Sequence, residues 1–455
     1  MFQCLSPIDG HVVYSDIHHS DKSIEGALQH ARMAQKDWQL TSLDERLKKL
    51  RIATDYLYDL RDEIGLEITN QMGRPVKYSA GELAGVKERS DQMLGLAKPA
   101  LADVRPEPVD GFDRKIERVP LGVVVVLAPW NYPFLTSVNA IIPALAAGNA
   151  VILKHSEQTP LVALRYKQAF EAAGLPAGVF QHLFLTHNGA AKLVADTRVD
   201  YVAFTGSVGG GQAITKATSD KFIGVGLELG GKDPAYVRAD ADVAQAAISL
   251  ADGAFFNSGQ SCCGIERIYV AHELFDEFVT GVVSEARKLV LGDPRLPETT
   301  LGPMASVSGA DAVRQRIKDA IKQGAVAHLP FNKNWGSAYL APQVLTNVTH
   351  EMDVMTEETF GPVVGIMAVD DDQQAISLMN DSNYGLTASI WTRDVAAATA
   401  IGARLETGTV FLNRCDYLDP SLAWTGVKNS GRGCTLSSIG YEQLTRPKSY
   451  HFKLS

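Results

Sequence analysis

The sequence has few cysteines, no paired CxxC elements, no long basic run and no apolar stretch of membrane length. Each absence removes a class of function. The five cysteines, Cys4, Cys262, Cys263, Cys415 and Cys434, are odd in number and irregular in spacing. They suit neither a small disulfide scaffold nor a zinc site, and they fit a reducing compartment. No metal is expected. A formal net charge of −9 without a basic run argues against nucleic acid and anionic membranes as partners. The longest apolar run, Leu121 to Ala128, is too short to span a bilayer and ends at a proline. Met1 to Pro7 has no basic segment leading into an apolar one, so no secretory leader is expected and a cytoplasmic location is. There is no internal repeat and no low-complexity segment. What remains is an ordinary globular composition, 45% hydrophobic and 21% charged over 455 residues. That length predicts two or three domains.

The chain changes character at Gly122. Before it, apolar residues three and four apart predict helices from Ser23 to about Asn70 and from Val76 to about Leu96. Lys98 to Asp113 reads as a connector, and Arg114 to Val119 alternates like an edge strand. After it, Val123 to Ala128 and Ala150 to Leu153 are continuous β-branched and aliphatic runs, as in strands buried on both faces. Helical and strand patterns then alternate through Val199–Thr205, Gly209–Ser219 and Phe222–Leu229. A second strand–helix series follows Gly231. The fold class is therefore α/β, with parallel, doubly wound sheets whose ligands bind at the carboxyl ends of strands.

The chemistry-bearing residues collect at those ends. Pro129-Trp130-Asn131 follows the first buried run, and Asn131 is either a turn former or an amide donor for an oxyanion. Lys154 and Glu157 follow the second. They are either a solvated loop, with Thr159-Pro160 starting a helix, or a ribose site that would repel a 2′-phosphate. Phe204-Thr205-Gly206-Ser207 opens a helix and is either a cap or a phosphate cradle. Glu228-Leu229-Gly230-Gly231-Lys232 ends another strand, and partial desolvation there would raise Glu228 toward a useful general base. Glu358-Thr359-Phe360 is an acidic–aromatic turn, either structural or facing a ligand. Cys262, two residues after Gln260, is either a packing thiol like Cys263 or a nucleophile. Taken together the set matches one reaction. A thiolate adds to an aldehyde, Asn131 and a backbone N–H hold the oxyanion, a nicotinamide takes the hydride, and water activated at Glu228 hydrolyses the thioester.

These landmarks stand in an order that resembles the aldehyde dehydrogenase superfamily over nearly the whole chain, ending with Lys428-Asn429-Ser430-Gly431. The resemblance implies Cys262 as nucleophile, Glu228 as general base and Asn131 as oxyanion donor. It implies that Lys154 and Glu157 hold the adenosine ribose of NAD, or of NADP, with Gly206 and Ser207 by the pyrophosphate. Trp130 and Leu229 would lie near the nicotinamide, and Glu358 on its ribose with Phe360 packed nearby. The implied architecture is two doubly wound domains and a small β oligomerisation arm. Residues 1–113 and 120–230 would bind the dinucleotide, 231–430 would carry the cysteine, and 114–119 with 445–455 would form the arm of a homodimer or homotetramer.

The sequence departs from the family in two places. Ala423-Trp424-Thr425-Gly426 replaces a Pro-Phe-Gly-Gly element near the substrate mouth, and Cys434-Thr435 replaces an Arg-Glu pair that serves proton release. Other pocket candidates are Tyr132, Phe134, Phe256, Ser261 and Arg414. Arg414 is either a surface residue or, if turned inward, a carboxylate site suited to a semialdehyde such as succinate semialdehyde. Two alternatives share the same cysteine: a CoA-acylating dehydrogenase, which has no need of Glu228, and a thiol esterase, which leaves the nucleotide landmarks unexplained.

Overall fold

The structure, a computed structural model, describes residues 1–331 and 335–454. The expected spans 231–430 and 445–455 contain residues 332–334 and 455, which lie outside the described residues.

Val123–Ala128 sits inside the first sheet, with every residue buried. One face, Val124 and Val126, joins a core with Ile141 and Leu145 of helix Pro133–Ala146 and Leu50 of helix Leu43–Asp59. The other face, Val123 and Val125, packs with Leu28 of helix Asp21–Trp38 and Leu193 of helix His187–Ala195. A strand with no solvent side has no polar alternation, which is why the run is continuous. Each such valine contributes about 1.5–3 kcal/mol of burial.

The sheet runs in the order Gly431–Arg432, Gly224–Glu228, Tyr201–Thr205, Val123–Ala128, Ala150–His155 and Phe180–His182. The strands from Val123 to Glu228 pair in parallel. Gly431–Arg432 closes one edge antiparallel to Gly224–Glu228. The chain winds outward from Val123–Ala128 to Phe180–His182, then returns to Tyr201–Thr205 on the other side. That reversal opens a crevice beyond Ala128 and Thr205, the place where such sheets bind ligands.

The second sheet has seven strands, with Ile265–Ala271 between Val363–Val369 and Asp233–Val237. Helices Val243–Phe255 and Phe275–Arg287 cover one face, and helix Val307–Lys322 the other. Cys262 lies in the turn that feeds Ile265–Ala271. Strand Asp233–Val237 carries no strand signal at its start, because Asp233-Pro234 reads as a turn. Its aspartate is buried and accepts hydrogen bonds from the N–H and hydroxyl of Thr387 in the neighbouring strand, so the polar start is satisfied inside.

Two local expectations differ. The helix expected from Val76 is broken into Val76–Ser79 and Gly81–Ala100. Ser79 ties the short first piece to the carbonyls of Arg74 and Pro75 and to the Thr69 hydroxyl. Thr159 does not cap the helix that begins at Leu161; it is buried, with its hydroxyl 3.2 Å from His155 Nδ1.

Phe112–Pro120 pairs antiparallel with Thr445–Lys453, from Pro120 opposite Thr445 to Phe112 opposite Lys453. This ribbon is a sheet of its own and is largely exposed along Thr445–Lys453. None of the described helices is long and apolar enough to cross a membrane.

Candidate active site

Helix Val243–Phe255 stops short of Cys262, and the chain then takes an unusual turn. Asn257, Ser258 and Gly259 all have positive φ, 53°, 57° and 69°. Two of the three carry side chains, so the turn is strained and must be held from outside. Arg74 holds it: Nε donates to Asn257 Oδ1 at 3.0 Å. Ser258 Oγ donates to the carbonyl of Gly302 at 2.9 Å. Gly259 is required, because a Cβ there would collide with the Gly361 carbonyl. Gln260 donates to the Asn257 carbonyl and accepts from Ala305 N–H. The turn presents Cys262 partly exposed and Cys263 buried. Cys263 Sγ donates to Asp416 Oδ1 at 2.9 Å, as does Ser261 Oγ. The neighbouring Cys262, then burial, holds the Cys263 thiol well above its ordinary range. The two cysteines are thus separated by environment, one partly exposed and one buried against an acid.

Asn131 meets this turn from the first sheet. Its side chain is 4% exposed, and Nδ2 donates to the Gln260 carbonyl at 3.2 Å. An amide nitrogen carries two hydrogens, so one stays free of that bond. The Asn131 carbonyl accepts from Arg74 Nη2 and Asn257 Nδ2. Arg74 also pairs with Glu82, with side chains 2% and 0% exposed. Glu82 in turn accepts the N–H groups of Phe134 and Leu135, in the first turn of helix Pro133–Ala146. A carboxylate suits the positive end of a helix. Arg74 and Glu82 therefore fix the Asn131 and Asn257 turns to one another.

Glu228 ends strand Gly224–Glu228. Thr435 Oγ1 donates to its Oε1 at 2.6 Å, and Thr205 Oγ1 to its Oε2 at 3.1 Å. Burial raises its pKa above the usual carboxylate value, and the two hydroxyls oppose that rise. Glu358 lies across from it and accepts from Gly231 N–H at 3.0 Å. Burial, and then the charge of Glu266, push Glu358 to about 7. The turn that carries Glu358 is anchored by Glu266, which accepts the N–H groups of Thr359 and Phe360 and pairs with buried Lys232.

Two cavities meet at these residues. The first, about 750 Å³, is lined by Trp130, Asn131, Gly206, Ser207, Glu228, Leu229, Cys262, Glu358 and Phe360 among others. Trp130 and Phe360 stand edge to face, with ring centroids 5.7 Å apart. Ser207 caps helix Val208–Ala217 through Gly210 N–H. The residues fit the expected dinucleotide. A helix N-terminus offers N–H groups to a phosphate, nothing stands within 4 Å of where a Cβ on Gly209 would be, and Glu358 offers an acceptor to sugar hydroxyls. Lys154 and Glu157 do not line this cavity. Lys154 lies on the neighbouring strand opposite Leu127, and burial lowers its pKa. Glu157 Oε1 is 2.8 Å from His18 Nε2.

The second cavity, about 1020 Å³, shares Thr136, Thr205, Glu228 and Cys262 with the first. Its other walls include Arg89, Tyr132, Phe256, Ser261, Asp416 and Trp424. Of the pocket candidates, Tyr132, Phe256, Ser261 and Trp424 are therefore in place. Phe134 is core, 1% exposed. Arg414 is absent from the lining; its guanidinium is engaged by the Tyr417 ring, 3.4 Å from the ring centroid, and Tyr417 itself lines the cavity. Arg74, Glu82, Arg89, Asp416 and the Thr435 contact were not singled out as site residues in the sequence. The one signal for any of them was the departure at Thr435 itself.

The family described as "Aldehyde dehydrogenase family" matches residues 1–450. A succinate semialdehyde dehydrogenase, NAD(P)+, of Escherichia coli strain K12 is 36% identical over 422 residues, covering 92% of this chain and 91% of that protein. A succinate-semialdehyde dehydrogenase, NADP(+), of Deinococcus radiodurans is 33% identical over 448 residues, covering 98% and 94%. The crystal structure of succinic semialdehyde dehydrogenase from Streptococcus pyogenes, in complex with NADP+, superposes with a TM-score of 0.95 at 28% identity and covers 100% of both chains.

Proposed function

The chain belongs to the aldehyde dehydrogenase family, and on that premise we propose that it oxidises an aldehyde to a carboxylic acid with NAD(P)+ through a thioester on Cys262. The observation that carries the mechanism is the meeting of two cavities at Cys262 and Glu228, one fitted to a dinucleotide and one lined for a substrate. The Cys262 thiolate attacks the aldehyde carbon and makes a thiohemiacetal. The free N–H of Asn131 and the backbone N–H of Cys262 hold the oxyanion. When bound, the dinucleotide supplies the acceptor for the hydride of the former aldehyde carbon. Glu228, as carboxylate, takes a proton from water, and that water cleaves the thioester to release the acid and the thiol. Thr205 and Thr435 hold the carboxylate between these steps.

Within the cofactor site we assign Gly206 and Ser207 to the pyrophosphate, Trp130, Leu229 and Phe360 to the nicotinamide side, and Glu358 to its ribose. Lys154 and Glu157 take the adenosine ribose, with NAD the favoured cofactor and NADP accepted. Residues 1–113 and 120–230 form the dinucleotide domain, and 231–430 the cysteine domain. The exposed Phe112–Pro120 and Thr445–Lys453 ribbon supports a homodimer or homotetramer, because a two-stranded sheet is marginal alone and its free edges invite another copy. The free thiols support a reducing compartment, the cytoplasm. The names of the relatives support a semialdehyde as substrate.

The test is Glu228→Gln. An enzyme in which Glu228 activates water gives a burst of NADH or NADPH near one equivalent per site, then stalls as acyl-enzyme. Steady turnover at the wild-type rate would remove Glu228 from the mechanism, and a stall relieved by free CoA would favour acyl transfer to CoA instead.

A further inference from the structure

Arg89 gives the substrate cavity a guanidinium that no protein carboxylate contacts directly. It stands on helix Gly81–Ala100, and its Nη1 donates to the Leu135 carbonyl at 2.7 Å and to Asn139 Oδ1 at 3.2 Å. Both acceptors are neutral. Among the described residues, no carboxylate lies within 4.0 Å of the guanidinium, and Nε and Nη2 have no acceptor. These two nitrogens form one edge of the fork, the edge that takes a carboxylate with two parallel hydrogen bonds. Arg89 is the one Lys or Arg in the cavity lining, which also contains Cys262.

Of the nearby acids, Glu228 on the same cavity and buried Glu82 attract Arg89 by charge without a direct hydrogen bond. Asp416 is committed to Ser261 and Cys263, and burial raises its pKa. Burial, then Asp416, raises that of Asp252. Glu88 is exposed, with the Tyr417 hydroxyl 3.4 Å away. A largely enclosed guanidinium with two unused donors, facing the reacting thiol across one cavity, is built for an anion.

We propose that Arg89 is the specificity-determining residue that receives the carboxylate of the substrate, so that aldehydes carrying an acid at the far end are preferred over neutral ones. This rests on the aldehyde-oxidising reading above and adds the residue that selects the semialdehyde. It replaces Arg414 in that role.

The experiment compares 4-oxobutanoate with butanal, which have equal chain length, in wild type, Arg89→Lys and Arg89→Met. The readout is the ratio of kcat/KM for the two aldehydes at saturating NAD+ or NADP+. Loss of charged hydrogen bonds predicts a fall of that ratio by about 10- to 100-fold in Arg89→Met, mostly through KM for the acid, with part restored in Arg89→Lys. An unchanged ratio, from equal losses on both aldehydes or from none, would overturn the assignment. A second readout does not depend on turnover. Succinate, the acid product of 4-oxobutanoate, should quench or shift tryptophan fluorescence on binding near Trp424, and Arg89→Met should weaken that binding by a similar factor. Wild-type oxidation of butanal with no gain for 4-oxobutanoate would sink the anion site alone. Failure to oxidise either aldehyde, with succinate still bound through Arg89, would sink the reaction reading and leave the anion site standing.

Discussion

Thr435→Val is the sharpest probe of how Glu228 works. The change keeps the shape of the side chain and removes the hydroxyl that donates to Oε1 at 2.6 Å. The carboxylate keeps the longer bond from Thr205, 3.1 Å, and remains buried. A hydrogen bond to a charged group contributes about 1.5–3 kcal/mol, which is about one to two pH units in the balance between charged and neutral forms. The sign follows from which form is bonded. The hydroxyl stabilises the carboxylate, so its loss raises the pKa of Glu228 further. Glu228 takes a proton from water only while charged, so thioester hydrolysis is fast above that pKa and fails as pH falls through it. The acid limb of kcat should therefore move up by about one to two pH units, and turnover near neutral pH should fall accordingly. Thr435→Ser keeps a donor and should stay close to wild type. The measurement is kcat against pH from NADH or NADPH absorbance, with the burst recorded at each pH so that slow hydrolysis is distinguished from slow addition. A folded Thr435→Val enzyme whose acid limb stays in place would refute the reasoning, because the hydroxyl would then contribute nothing to the charge state of Glu228.

Three further outcomes test other parts of the site. Cys262→Ala should abolish NAD(P)+ reduction and its burst, whereas Cys263→Ser, which keeps a donor for Asp416, should retain the burst; the reverse pattern would exchange the roles of the pair. Arg74→Met should lower stability by about 3–5 kcal/mol, because it leaves buried Glu82 unpaired and frees the Asn257 and Asn131 turns; chemical denaturation checks it, and a change within error would show that the pair is not stabilising in context. Glu157→Ser should raise the NADP+ to NAD+ ratio of kcat/KM by about tenfold or more, since it removes a like charge from the 2′-phosphate position; an unmoved ratio would take Glu157 out of cofactor choice.

What the sequence made legible divides along a physical line. Gly206 directly follows its strand, Asn131 lies three residues past Ala128 and Glu228 is the last residue of its strand, so one local pattern, a strand and then a polar turn, marks the catalytic edge of the sheet. Strands of one sheet share that edge by construction, and finding the strands therefore amounts to finding the crevice. Arg89 has no such mark. It sits on a helix whose pattern shows only amphipathicity, and charged residues on a helix face are solvated by default. What distinguishes it is negative: the two residues its guanidinium bonds, Leu135 and Asn139, offer neutral acceptors and no carboxylate. Arg74 is the opposite case, since Glu82 lies close in sequence, but only the packing of the Asn131 and Asn257 turns makes that pair central. Arg414 shows the cost of reading one residue without its partner. It follows a strand end, as catalytic residues do, yet the Tyr417 ring three residues later captures it. Strand position locates the reacting edge; which charge faces the substrate is decided by pairings across elements, and those exist only once the chain has folded.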